Sequence, residues 1–279
     1  MIKRTIEFIL FSSVFIACCA IGMCIETNLL LQVPLNSLSF YVFVFGSTLL
    51  QYNLHYLVKK KGVDHSRRLE WSAKNRPVHK FMIVLGSAMI VVSLFSFHLH
   101  HFIFLGLLGT IAYFYSFPVH PFSKKKRIKD FGLLKIMTLV LLWTLVTSWF
   151  PVDQANFDIT SFQLIFFRRF TFMFILCLLF DIRDAKIDLV EGIRTVPVII
   201  GSGKAYFICY VCLVIFFTLS FIQFYYVHNH VELWIMLASA LATLFTIEFT
   251  KINMSDYTFL ALVDGMMLLQ AVMVIITSI

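Results

Sequence analysis

Tyr206-Phe-Ile-Cys-Tyr-Val-Cys-Leu-Val-Ile-Phe-Phe-Thr-Leu-Ser-Phe-Ile-Gln-Phe-Tyr-Tyr-Val227 runs for 22 residues without a charged side chain. A helix of that length crosses the roughly 30 Å hydrocarbon core of a bilayer. Eight further apolar segments resemble it, at 6–25, 38–58, 81–97, 102–118, 133–150, 162–180, 231–250 and 257–277. In lipid each segment has to satisfy its own backbone groups, so each is expected to be α-helical. Together they explain the composition. Of 279 residues, 60% are hydrophobic and 14% charged, and the mean hydropathy is +0.88. A soluble domain has roughly 45–50% apolar and about 25% charged residues. A water-soluble enzyme, a disordered chain and a disulfide-stapled secreted domain are thereby excluded. The expectation is an all-α integral membrane bundle of nine transmembrane helices, forming a single domain over 1–279.

The loops give that bundle an orientation. The formal charge is +8, but the cations fall in patches between apolar runs, the pattern of cytoplasmic loops rather than of a nucleic-acid surface. With Lys3 and Arg4 placed inside, the inner loops collect Lys59, Lys60, Lys61, Arg67, Arg68, Lys74, Arg76 and Lys80. Later inner loops hold Lys124, Lys125, Lys126, Arg127 and Lys129, then Arg183, Lys186, Arg194 and Lys204, and finally Lys251. The outer loops 26–37, 98–101, 151–161 and 227–231 contain no Lys or Arg. This asymmetry predicts a cytoplasmic N-terminus and a C-terminus outside. The start of the chain has signal-peptide character, but its apolar run is long and lacks a clear small-residue cleavage site, so it reads as a retained first span. Arg168 and Arg169 lie inside the sixth segment. They are expected to snorkel towards its outer end, or to pair with Asp153 or Asp158. The six cysteines all lie in apolar stretches, and Cys209-x-x-Cys212 has no second ligand pair, so they read as small apolar residues.

Chemistry concentrates in Phe180-Asp-Ile-Arg-Asp-Ala-Lys-Ile-Asp188, where the sixth segment reaches the inner face. Asp181, Asp184 and Asp188 are spaced i, i+3, i+7, which places them within roughly 60° of one another on a helix. Three carboxylates on one stripe repel unless a cation joins them. Oxygen ligands of this kind suit Mg²⁺, which commonly binds one or two carboxylates together with substrate phosphates. The plainer alternative, a solvated helix end, conflicts with the aversion of helix C-termini for acidic residues. Then follows Glu191-Gly-Ile-Arg-Thr-Val-Pro-Val-Ile-Ile-Gly201, in which Gly192 and Pro197 mark a turn and Arg194 offers a planar cation suited to phosphate.

These two runs resemble the second aspartate-rich motif and following loop of the UbiA family of intramembrane prenyltransferases. The resemblance implies nine transmembrane helices, a Mg²⁺-dependent transfer of a prenyl group from a polyprenyl diphosphate, and a hydrophobic acceptor. Weaker echoes are Arg76-Pro77 after the second segment, and Tyr115-Ser-Phe-Pro118 followed by Lys126 and Arg127. The family's first motif, N-D-x-x-D-x-x-x-D, is altered here. Its counterpart is Asn53-Leu-His-Tyr-Leu-Val-Lys-Lys-Lys61, so Asn53 is kept while Leu54, Leu57 and Lys61 replace the aspartates. Two consequences compete. Lys61, with Arg67 and Arg68, stands in as fixed positive charge against the diphosphate, or ionisation is lost.

Asp264 lies about two turns inside the ninth segment, where an acid usually faces a cavity or a partner. Asp256 and Glu248 can reach the interface. His98, His100 and His101 share an outer turn and read as interfacial histidines. Aromatic residues are 16% of the chain, and such rings can line an isoprenoid tunnel and stabilise a carbocation. The resulting reading is a prenyltransferase in which Asp181, Asp184 and Asp188 hold Mg²⁺ and Asn53 orients a phosphate oxygen or metal-bound water. Lys61, Arg67, Arg76, Lys126, Arg127, Arg194 and Asp264 contact substrate. The alternative is a non-catalytic isoprenoid-binding protein or transporter on the same fold.

Overall fold

In the computed structural model, residues 2–58, 66–116, 132–152 and 155–278 are described. Among them there is no strand. Twelve helices follow in chain order: α1 Ile2–Phe11, α2 Val14–Leu30, α3 Leu38–Val58, α4 Arg67–Lys74, α5 Arg76–Leu94, α6 Leu99–Ser116, α7 Gly132–Thr144, α8 Ile159–Val190, α9 Val196–Ile200, α10 Ser202–Val227, α11 His230–Ile252 and α12 Gly265–Ser278. Each of the nine apolar segments falls largely on helix. The first is split, however. Ser13 adopts a left-handed backbone, and α1 meets α2 at 60°. Among the described residues, five helical stretches are long and apolar enough to cross a membrane, or six with α1 and α2 counted as one bent span. The chain is thus a multi-pass membrane bundle.

α8 is its axis. At 1.5 Å per residue its 32 residues extend about 48 Å, well beyond the hydrocarbon core. Phe172, Met173, Ile175, Leu176, Leu178 and Leu179 are all buried against neighbouring helices. α3 and α5 cross where Gly46 and Gly86 meet. A methyl on Gly86 would lie 2.6 Å from the Gly46 carbonyl oxygen, so only glycine permits this approach.

Near the end of the bundle opposite the aspartates, α8 carries charge in the interior. Arg168 and Arg169 are each only 2% exposed. Arg168 donates to Glu232 Oε1 at 3.1 Å and Gln223 Oε1 at 2.8 Å. Arg169 pairs with Glu26 at 3.1 Å and donates to the Met23 carbonyl. Gln270 donates to Glu26 at 2.9 Å, and Ser239 to Gln270. The expected snorkelling therefore does not occur. Glutamates on α2 and α11 neutralise the pair, which costs less than leaving two guanidinium groups unpaired in lipid. Asp158 instead caps α8, accepting from the Ser161 N–H at 2.6 Å. Asp153 is outside the described residues.

Candidate active site at the aspartate end

The segment after Phe180 stays helical to Val190 and ends at Gly192, whose φ of 72° is the left-handed conformation of a helix C-terminal glycine. The Ile193 N–H returns to the Asp188 carbonyl at 2.8 Å. The turn predicted from Gly192 and Pro197 is present, and Pro197 opens the short α9. The chain then presses onto α7. A methyl at Gly132 would lie 1.6 Å from the Arg194 carbonyl oxygen and 2.4 Å from the Thr195 Cα, so the backbones touch at Gly132.

That contact places Lys135, three residues into α7, against the aspartates. Its Nζ lies 2.9 Å from Asp181 Oδ1 and 3.3 Å from Asp188 Oδ2. Both carboxylates are 7% exposed, and the lysine side chain 21%. Burial holds the Asp188 carboxyl above its ordinary range, with the Lys135 charge opposing. Asp184 turns aside to its neighbour Arg183, accepting from Nε at 2.8 Å. The three-carboxylate stripe thus resolves into a two-carboxylate pair around an ammonium, plus a separate ion pair. Among the described residues, no three His, Cys, Asp or Glu side chains converge as a metal cage. Two carboxylates with phosphate oxygens are nonetheless an ordinary divalent-cation set. Asp181 Oδ2 is buried without a hydrogen-bond partner. The pair therefore fits a divalent cation whose coordination is completed by substrate.

A second group of charges lies on α4 and on the segment leading into α12, together with Arg183 of α8. Ser66 caps α4, and Arg68, on its first turn, points inward. The Arg68 guanidinium stacks over Tyr56 at 4.0 Å and donates to Ser13 Oγ at 3.0 Å. Its Nε is buried without a partner. Asp256 accepts from the Arg68 backbone N–H at 2.9 Å and lies 3.6 Å from Arg183. Arg183 itself lies between the rings of Phe180 and Phe259, at 4.9 and 4.8 Å. Asp264, immediately before α12, is 8% exposed.

Several expected roles change. Asn53 is fully buried, and all of its polar atoms are engaged. Its amide donates to the carbonyls of Ser12 at 2.9 Å and Leu49 at 2.8 Å, while His79 Nδ1 donates to its Oδ1 at 2.7 Å. It ties α3 to α5 and to the α1–α2 bend, and with both amide N–H groups used it has no donor left for a phosphate oxygen. Arg67 points away from the site to Glu7, donating at 2.6 and 3.1 Å, so the inward-facing cation is Arg68. Arg76 is exposed, with one long bond to the Leu57 carbonyl. The Arg194 side chain is exposed too, and its backbone makes the contact with α7. Lys61, Lys126 and Arg127 lie outside the described residues. Sequence reasoning missed Lys135, Arg68 rather than Arg67 as the inward cation, and Asp256 as the bridge between Arg68 and Arg183. Lys135 had a readable signal, since it is the single charge in the run 132–152.

No family profile and no curated protein matches the chain in sequence. Solved structures match it in fold. A UbiA homologue from Archaeoglobus fulgidus bound to GPP and Mg²⁺ superposes with a TM-score of 0.63 at 14% identity, covering 97% of this chain and 98% of that one. A digeranylgeranylglyceryl phosphate synthase gives 0.60 at 15% identity over 100% and 99%. The apo UbiA homologue from Aeropyrum pernix K1 gives 0.60 at 13% identity over 98% and 99%. The chain has the fold of the UbiA-type intramembrane prenyltransferases.

Proposed function

We propose that this chain is a member of the UbiA family that transfers a prenyl group from a polyprenyl diphosphate to a hydrophobic acceptor, with Mg²⁺ as cofactor. The observation that carries the reading is the buried Asp181 and Asp188 pair, with an open oxygen on Asp181, at one end of this fold. The solved homologue that holds GPP and Mg²⁺ supports the same substrate class. In this reading nine spans cross the bilayer and the aspartate end is cytoplasmic.

Asp181 and Asp188 would hold the cation, with Asp184 at its margin. When bound, Mg²⁺ neutralises diphosphate oxygens and so makes diphosphate a better leaving group. Arg68 supplies a buried guanidinium with an unused N–H, a preorganised contact for charge that grows on the departing diphosphate. The motif resemblance assigns Lys61, Lys126, Arg127 and Arg194 to the diphosphate as further cations. Phe180 and Phe259 hold Arg183 between their rings and so fix the position of that cation. Asp264, buried just before α12, is a substrate-contacting residue in this reading. The test is Mg²⁺-dependent pyrophosphate release by the purified protein with a panel of polyprenyl diphosphates. Absence of release across the panel refutes catalysis.

A second reading, a non-catalytic isoprenoid binder, is favoured by the first motif. Leu54, Leu57 and Lys61 replace its carboxylates, and Asn53 is engaged in helix packing. Saturable diphosphate binding without pyrophosphate release would select it.

A further inference from the structure

Lys135 occupies the place where a cation would join Asp181 to Asp188, bonded to one oxygen of each. We propose that Lys135 is an internal counter-ion. It holds the two carboxylates while the site is empty, keeps divalent metal out until a diphosphate arrives, and then passes its own charge to the phosphate. The inference rests on the proposed function only for the identity of the anion.

Three observations support it. First, the geometry is exclusive. An ammonium 2.9 and 3.3 Å from the two carboxylates fills the gap between them, so a metal entering that gap displaces it. Second, the residue type suits exchange. A lysine is a point charge on a flexible four-carbon stem, without the fixed fork that would lock an arginine to one carboxylate. Its side chain is also about three times as exposed as either aspartate, at 21% against 7%, which leaves it room to swing out. Third, the pair is incompletely satisfied. Asp181 Oδ2 is buried and unpartnered, so Lys135 balances the site without saturating it.

Charge decides the order of binding. A divalent ion entering alone would set three positive charges against two carboxylates in a part-buried site, where like charges repel strongly. A divalent ion entering with a diphosphate brings its own anion, and Lys135 then has a new partner within reach of its stem. The free protein should therefore bind metal weakly, and removal of the lysine should open the pair to metal alone.

The experiment titrates Mn²⁺, followed by the loss of its free-ion electron paramagnetic resonance signal, into the detergent-purified full chain without any diphosphate. Lys135→Met and Lys135→Gln should bind Mn²⁺ about tenfold more tightly than the parent. Lys135→Arg should stay as weak as the parent. Adding Asp181→Asn to Lys135→Met should abolish the gain and so locate it at this pair. Gel filtration and circular dichroism establish that the variants are folded, and the two neutral substitutions guard against one of them misfolding. If both folded neutral variants bind Mn²⁺ no better than the parent, or if the gain survives Asp181→Asn, the inference is overturned. The outcome is independent of turnover. A gain in metal binding by a protein that releases no pyrophosphate would sustain the counter-ion and remove the prenyltransferase reading. Turnover without any such gain would do the reverse.

Discussion

Gly132→Ala adds a single methyl at the contact that brings α7 to the aspartates. The methyl would lie 1.6 Å from the Arg194 carbonyl oxygen, 2.1 Å from its carbon and 2.4 Å from the Thr195 Cα. Ordinary contacts between such atoms are near 3.5–4.0 Å, so the two backbones have to separate by roughly 1.5–2 Å. Overpacking typically costs about 1–3 kcal/mol. Here the obstacle is main chain and cannot change rotamer, which places the cost near the top of that range, about 3 kcal/mol. For a chain of this size that corresponds to a melting point lower by roughly 5 °C. The local effect is larger than the global one. Lys135 is less than one helical turn from Gly132, and a retreat of this size takes its ammonium beyond the 4 Å reach of an ion pair with one of the two carboxylates. Thermal denaturation in detergent, paired with inorganic pyrophosphate binding by the full chain, measures both effects. A Gly132→Ala protein that melts within about 2 °C of the parent and binds pyrophosphate equally well would refute the argument.

Arg169→Met should destabilise the bundle by about 3–5 kcal/mol, because it leaves Glu26 buried without its cation; adding Glu26→Gln should restore most of the loss, and a double variant as unstable as the single one would count against the pairing. Arg68→Ala should weaken diphosphate binding by about one to two decades, the value of a charge-assisted contact of about 1.5–3 kcal/mol. Arg67→Ala, which loses the pair with Glu7 and the contact with the Tyr257 ring, should shift it by less than about threefold. Equal losses in the two variants, measured by calorimetry, would contradict the assignment of Arg68. A tag in the loop 59–80 should be accessible only from the cytoplasm and a C-terminal tag only from outside; labelling of both from the same side would exclude nine spans.

Helices were the easily read part of this chain, because lipid demands a long uncharged run and such runs stand out at any resolution of reading. The aspartate-rich end of α8 was equally plain, since acids are conspicuous at the end of an apolar helix. What each polar group faces was harder to read. Arg67 and Arg68 are adjacent and identical in kind, yet about 100° apart on α4; only the packing of that helix reveals which one turns inward. Asn53 has the same letter whether it orients a phosphate or ties two helices, and here Ser12, Leu49 and His79 take all its bonds. Asp184 shares a helical stripe with Asp181 and Asp188, but its neighbour Arg183 is closer than any common ligand. Arg168 and Arg169 pair with residues 64 and 143 positions away, separations at which local periodicity carries no information.

That last pair has a consequence for how the protein is made. During synthesis Glu26 precedes α8, but Glu232 is added 64 residues after Arg168. As α8 leaves the ribosome it therefore carries two arginines and only one of their two carboxylate partners. An arginine in a lone span costs up to about 2.5–3.5 kcal/mol at its centre, and less towards its ends, on the scale of translocon-mediated insertion. α8 is accordingly a poor candidate for release into lipid as an independent helix. It has to wait at the insertion machinery, in company with α2, until α10 brings Gln223 and α11 brings Glu232. The longest helix of the bundle is then among the last to be settled, and the biogenesis of this protein is a collective event rather than a sequence of single insertions.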